Sequence, residues 1–234
     1  MEFANRTVVI TGAAGNLGRA VAAAFAARGA NLVLIDRSDE LLRRVYPGEE
    51  ARRLLAAVDL LDAAQTQAAI ARAAERFGRI DVLANLAGGF RMGEAVHETT
   101  DATWNFLLDI NVRTLLNTVR AVVPQMLAAG GGKIVNVGAA SALKGAALMG
   151  AYVAAKSAVI RLTETMALEL REKNVNVNCV LPTIIDTPEN RAAMPDADPA
   201  RWVASEDLAS VIVFLASDAA RAIHGAVVPV AGLS

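Results

Sequence analysis

Short, almost continuous apolar runs alternate along this chain with longer stretches whose apolar residues recur every three or four positions. The runs at 7–11, 31–35, 54–58, 81–85, 133–137, 175–181 and 226–230 predict seven strands buried on both faces. The stretches at 17–28, 40–45, 63–77, 102–129, 151–173 and 205–216 carry helical spacing. Strict alternation of the two implies right-handed crossovers and a doubly wound, seven-stranded parallel sheet in three α/β/α layers. No linker, repeat or low-complexity tract interrupts residues 1–234, which read as one domain. The segment 183–199 holds three prolines and several charges and predicts a loop after the sixth strand. Ligands of such sheets bind at the carboxyl ends of the strands, so residues 183–202 are expected to cover a substrate.

Composition narrows the class. Hydrophobic residues make up 54% of the chain but aromatics only 4%, so the core is built mainly from Ala, Val, Leu and Ile. A formal net charge of −1 gives no electrostatic reason to expect nucleic acid or a membrane as partner, and no apolar run reaches spanning length. The lone Cys179 suits a reducing, cytoplasmic setting and reads as a buried structural thiol. With His97 and His224 far apart and one cysteine, no metal-ligand constellation is expected.

Two groups of residues carry chemistry. The first strand runs directly into Thr11-Gly-Ala-Ala-Gly-Asn-Leu-Gly18 and then a helix. Gly12 permits a sharp turn, Gly18 permits close helix–sheet packing, and the helix N-terminus offers free N–H groups to a pyrophosphate. Gly15, Asn16 and Leu17 complete this candidate dinucleotide turn. Asp36, at the end of the second strand, would accept the adenosine ribose hydroxyls and repel a 2′-phosphate. This favours NAD, while the adjacent Arg37 leaves NADP open. Asp59 and Leu60 would lie by the adenine, and Asn85, Ala87 and Gly88 beneath the cofactor, with the Asn85 amide able to bridge strands. The second group is Tyr152 and Lys156, four apart and hence on one helix face. An ammonium there would favour phenolate and fit the tyrosine for proton transfer to a carbonyl or alcohol oxygen.

With these motifs in this order, the chain resembles the short-chain dehydrogenase/reductase family over essentially its whole length. That resemblance implies a Rossmann fold and nicotinamide-dependent hydride transfer to or from a small-molecule substrate. It also assigns Asn111 to a proton relay, and Pro182, Ile185 and Thr187 to the carboxamide of the nicotinamide. The family's pairing of helices implies a homodimer or homotetramer through residues 102–129 and 151–173. There are departures. Asn16 stands where the family has a glycine, and Asn tolerates left-handed geometry. Leu86 replaces an Asn, and Thr183 replaces a Gly, which should stiffen the loop root. The family's catalytic Ser is here Ala139, with Ser141 two positions on. The residues around Tyr152 and the segment 181–202 are similar to dihydropteridine reductases, which share the Ala and reduce an imine-like ring. That makes a pterin reductase the second reading, and a dinucleotide-binding protein with little turnover the third. Ala139, Ser141, Met149 and Trp202 are the candidate substrate contacts, with Phe90, Met92 and Leu143 as further apolar wall. Arg91, Lys144 and Arg191 read as solubility residues or as contacts for a charged substrate.

Overall fold

The computed structural model describes residues 2–234. Seven strands form one parallel sheet in the order β3-β2-β1-β4-β5-β6-β7. They are β1 (Thr7–Thr11), β2 (Asn31–Asp36), β3 (Arg53–Ala57), β4 (Val82–Asn85), β5 (Gly132–Val137), β6 (Val175–Pro182) and β7 (Val227–Val230). The expected α/β/α architecture is present, with strand ends within a residue or two of those read from the sequence. Strand order reverses between β1 and β4, the place where sheets of this kind form a ligand crevice beyond the strand ends.

Alternation along each strand sends side chains to two separate cores. Val9, Leu83, Ile134 and Val177 face one way, beneath α3 (Ala63–Phe77), α5 (Thr114–Ala128) and α6 (Gly150–Leu170). Val8, Ile10, Val82, Val135 and Val180 face the other, beneath α1 (Asn16–Ala26), α2 (Asp39–Val45) and α8 (Ser205–Leu215). Helix starts are set by local chemistry. The Ser38 hydroxyl accepts the Leu41 N–H, and the Asp62 carboxylate accepts those of Ala64 and Gln65, satisfying donors that a helix N-terminus leaves free. Helix α1 has no such side-chain cap and no acidic residue in its first turn, so its leading N–H groups stay available.

Two expectations are corrected. The helix expected over 102–129 is three segments: α4 (Asp101–Leu108), a π-helical turn (Asp109–Arg113) and α5. The Asn111 amide donates to the Leu107 carbonyl at 3.0 Å, taking the acceptor that an unbroken α-helical ladder assigns to a backbone N–H. The segment 183–199 is not merely a loop. It contains α7 (Pro188–Ala193) and is followed by a 3-10 turn (Pro199–Arg201). Both begin with proline at the first helical position, where its fixed φ and missing N–H suit a helix start. The Thr187 hydroxyl caps α7 by accepting the Asn190 N–H.

Candidate active site

The glycine turn between β1 and α1 is fixed from several sides. Gly12 has φ +64° and a Cβ there would press on the backbone of Ala87 at 3.2 Å, so glycine is required by conformation and by space. Ala13 N–H donates to the Ile35 carbonyl, and Ala14 N–H donates to Asp36 Oδ2 at 3.0 Å. Asp36 Oδ1 accepts the N–H of Arg37 at 2.8 Å. The carboxylate is thereby oriented at the end of β2, with Arg37 exposed beside it. Tyr46, just after α2, donates its phenol to the Ala13 carbonyl at 2.7 Å, and burial pushes its pKa up to about 12. Sequence reading missed this residue, because nothing local marks a contact between positions 33 apart.

Asn16 is the first residue of α1 and is not left-handed. The turn survives this departure because the strained geometry lies at Gly12. Asn16 instead reaches across the crevice, and its amide donates to Glu189 of α7 at 2.8 Å. The other half of the crevice is tied by Thr11, whose hydroxyl accepts the N–H groups of Leu86 and Ala87 and donates to Asn85 Oδ1. Asn85 also contacts Asn136 of β5 at 3.5 Å, and Asn136 donates to Thr163 of α6. A polar ladder therefore crosses the sheet under the crevice, as the Asn85 side chain was expected to allow. Beyond β3, Asp59 Oδ1 accepts the Leu61 N–H, and the Asn117 amide donates to the carbonyls of Leu60 and Leu61.

Lys156, Asn111 and Gly88 meet in one place. A Cβ on Gly88 would lie 2.8 Å from Asn111 Oδ1 and 3.2 Å from Lys156 Nζ. Asn111 accepts the Gly89 N–H and donates to the Gly89 carbonyl, a bidentate clasp made possible by the π-helical turn. Lys156 is buried and donates to the Val137 carbonyl at 2.9 Å. Burial pulls its ammonium down to about 8. Tyr152 is one turn earlier on α6, half-buried, with Phe90 edge-to-face on its ring at 4.8 Å. Burial pushes its phenol up to about 12, which corrects the lowering expected from the Lys156 ammonium. Beneath them Cys179 is buried, as expected of a structural thiol, and burial raises it to about 11.

A pocket of about 140 Å³ opens beside Tyr152, lined by Arg91, Met92, Glu94, Thr103, Leu148 and Met149 among others. Of the four candidate substrate contacts only Met149 lines it. Ala139 is buried, and Ser141 lies on a 3-10 turn (Ala140–Leu143) after β5. Trp202 does not line it either: the residue is 7% exposed, and its backbone carbonyl lies close to Gly232. Pro182, Ile185 and Thr187 follow at the carboxyl end of β6. The Thr183 root is stiffened as expected, its N–H bonding Val230 and its hydroxyl Ala231. Arg191 is held by both oxygens of Asp186. His97 and His224 are exposed.

The residues present suit a dinucleotide: a glycine cradle whose added Cβ atoms would collide, an uncapped helix start, and a buried lysine beside a tyrosine across the crevice. Comparison with known proteins agrees. Residues 6–198 match the family model described as short chain dehydrogenase. D-threitol dehydrogenase of Mycolicibacterium smegmatis is 34% identical, covering 94% of this chain and 89% of the relative. A 3-oxoacyl-(acyl-carrier-protein) reductase of Thermotoga maritima is 32% identical over 99% and 98%. Among solved structures, carveol dehydrogenase from Mycobacterium avium in complex with NAD superposes with a TM-score of 0.90 at 29% identity, covering 99% and 98%. The chain belongs to the short-chain dehydrogenase family and is an oxidoreductase of that family.

Proposed function

We propose that this enzyme binds NAD(H) across the β1–β4 crevice and transfers a hydride between the nicotinamide and a carbonyl or alcohol carbon, with Tyr152 as acid or base. The observation that carries the reading is the convergence of Lys156, Asn111 and Gly88 at the crevice floor, one helical turn from Tyr152 at the pocket. Gly12, Gly15, Asn16, Leu17 and Gly18 would hold the pyrophosphate. Asp36 would accept the ribose hydroxyls, and its fixed carboxylate favours NAD over NADP. Pro182, Ile185 and Thr187 would face the carboxamide. When bound, the nicotinamide supplies or accepts the hydride.

The chain's own residues manage the proton. In reduction, the Tyr152 O–H donates to the substrate oxygen as the carbon is reduced. Its raised pKa keeps it protonated at neutral pH, which suits this direction. Lys156 would hydrogen-bond the nicotinamide ribose, and its charge stabilises the phenolate left behind. Asn111, held by the Gly89 backbone, positions a proton path toward Lys156. NAD-bound relatives, carveol dehydrogenase and xylitol dehydrogenase, support the cofactor class.

Replacing Tyr152 by Phe is expected to lower kcat by at least ~100-fold while NADH affinity stays within twofold. Full activity in that variant would remove the mechanism. Ala139 favours a second reading, reduction of an imine-like C=N bond such as that of quinonoid dihydropterin, which needs less help at an oxyanion. Turnover of dihydropterin but of no ketone would select it. NADH binding without turnover of any substrate would select a binding protein instead. The exposed Trp104 and Phe106 of α4 and Leu168 of α6 support a dimer or tetramer through these helices, checked by sedimentation.

A further inference from the structure

The pocket beside Tyr152 is built by a loop that is docked firmly. Gly93 N–H donates to the Leu148 carbonyl at 2.8 Å, and Val96 packs where a Cβ on Gly150 would stand, at 2.7 Å. Leu148 holds a left-handed φ of 60° without being glycine, a strained conformation that packing must maintain. The segment that carries Arg91 and Glu94 is thereby fixed against the start of the Tyr152 helix.

The charges in this pocket are not equivalent. Glu94 is already engaged: Oε1 accepts from the Thr103 hydroxyl at 2.9 Å and Oε2 accepts the Thr100 N–H at 3.1 Å. Both partners lie at the start of α4, where a carboxylate also complements the helix dipole. Arg91, the one cation lining the pocket, has no acidic partner among the described residues. Its guanidinium lies over the Phe106 ring at 4.0 Å. Stacking of this kind fixes the guanidinium's face and leaves its in-plane N–H edge free for a planar anion. The rest of the wall is apolar: Met92, Leu107, Leu148 and Met149.

From this arrangement we infer that the substrate is an oxo acid or its hydroxy acid counterpart, with its carboxylate bound by Arg91 and its short apolar chain against the methionines and leucines. The inference deepens the hydride-transfer reading and rests on it. Arg91 acts in specificity, not in proton transfer.

The test compares short linear oxo acids with their primary amides as substrates, with NADH, in wild-type enzyme and in the R91Q and R91K variants. Each compound is also titrated into the enzyme–NADH complex, with cofactor fluorescence as a readout independent of turnover. The acid is expected to exceed its amide in kcat/KM by about tenfold or more, as a charge-assisted bidentate contact provides. R91Q should erase that preference and R91K retain part of it. Equal use of acid and amide overturns the inference. So does an acid preference that survives R91Q, and so does failure of every oxo acid to be reduced or to alter NADH fluorescence while neutral ketones are reduced. A Tyr152→Phe enzyme with wild-type turnover defeats the hydride-transfer mechanism, separately from these outcomes.

Discussion

Replacing Gly18 by Ala sets two well-known effects against each other. Gly18 lies within the first turn of α1, in ordinary helical conformation, and alanine is favoured over glycine in a helix by about 1 kcal/mol. On propensity alone the substitution stabilises. The structure says otherwise. A Cβ at Gly18 would stand 2.7 Å from Ala13 Cα and 2.8 Å from Ala13 C, and closer still to the Gly12 carbonyl oxygen. All three are backbone atoms that cannot swing away, so the turn must retreat by roughly 1 Å to reach ordinary contact. That retreat also strains the bond from Gly15 N–H to the Gly12 carbonyl and the grip of Asp36 on Ala14. Overpacking of a tight site costs about 3 kcal/mol at the upper end of the usual range. The net loss is then about 2 kcal/mol, or a Tm lower by about 4–8 °C for a chain of this size. Because the displaced atoms form the proposed pyrophosphate cradle, the NADH Kd should rise at least about tenfold, equivalent to 1.4 kcal/mol. Thermal melts with and without NADH, and titration of cofactor fluorescence, measure both effects. Gly15→Ala is the control for stability: φ is −71° and the nearest atom to its Cβ is 3.4 Å away, so its Tm should move little. A G18A protein that melts higher than wild type and binds NADH within twofold would refute the packing argument.

Other predictions follow from the same neighbourhood. Tyr46→Phe keeps the ring but removes the donor to Ala13, at about 1 kcal/mol. It should raise the NADH Kd about fivefold with kcat at saturation unaltered, and an unchanged Kd would dismiss Tyr46 as a support of the turn. Thr11→Val strips the acceptor from the Leu86 and Ala87 N–H groups and should lower stability by about 2 kcal/mol, read by urea melts. Lys156 titrates near 8 in the folded enzyme and at 10.5 when unfolded. Folded protein thus binds this proton more weakly, so the burden on stability is full below pH 8 and fades as pH rises toward 10. Lys156→Met should therefore out-melt wild type most at pH 7, with the gap narrowing up to pH 10. A gap that widens would contradict the sign. Ketone reduction by wild type should also decline as pH rises through about 8, where the ammonium is lost; a flat profile would separate Lys156 charge from the reaction.

The sheet is readable from sequence because its strands are buried on both faces, which leaves near-continuous apolar runs that no surface strand or amphipathic helix imitates. Helix caps such as Asp62 and Thr100 lie next to the donors they satisfy, so they too are local. The misread segment is the one where a residue type has two meanings. Pro188 and Pro199 punctuate loops in general but start a helical turn when preceded by a capping side chain such as Thr187 or Asp198. Trp202, a candidate substrate contact by sequence, is 7% exposed in the folded chain. The backbone at 201–202 is tied to Gly232 and Leu233, and no spacing near residue 202 encodes that.

The site divides along the same line. Glycines whose need is conformational, and a Tyr–Lys pair four apart, announce themselves in the chain. Contacts that join distant segments do not: Tyr46 to Ala13, Asn16 to Glu189, and Glu94 to the start of α4. Asn111 is the instructive case, since its identity was legible and its effect was not. The sequence predicts one helix over 102–129, and Asn111 ranks only as a middling helix former within it. In the folded chain its amide takes the Leu107 carbonyl and clasps the backbone of Gly89. Donating there shifts the helix into a π turn, and the shift leaves Oδ1 where Gly88 and Lys156 meet. The irregularity and the site are thus one feature. The helix yields a regular hydrogen bond at the position where the crevice needs a fixed polar group, and only the strand end beyond Asn85 supplies the partner that makes the exchange favourable.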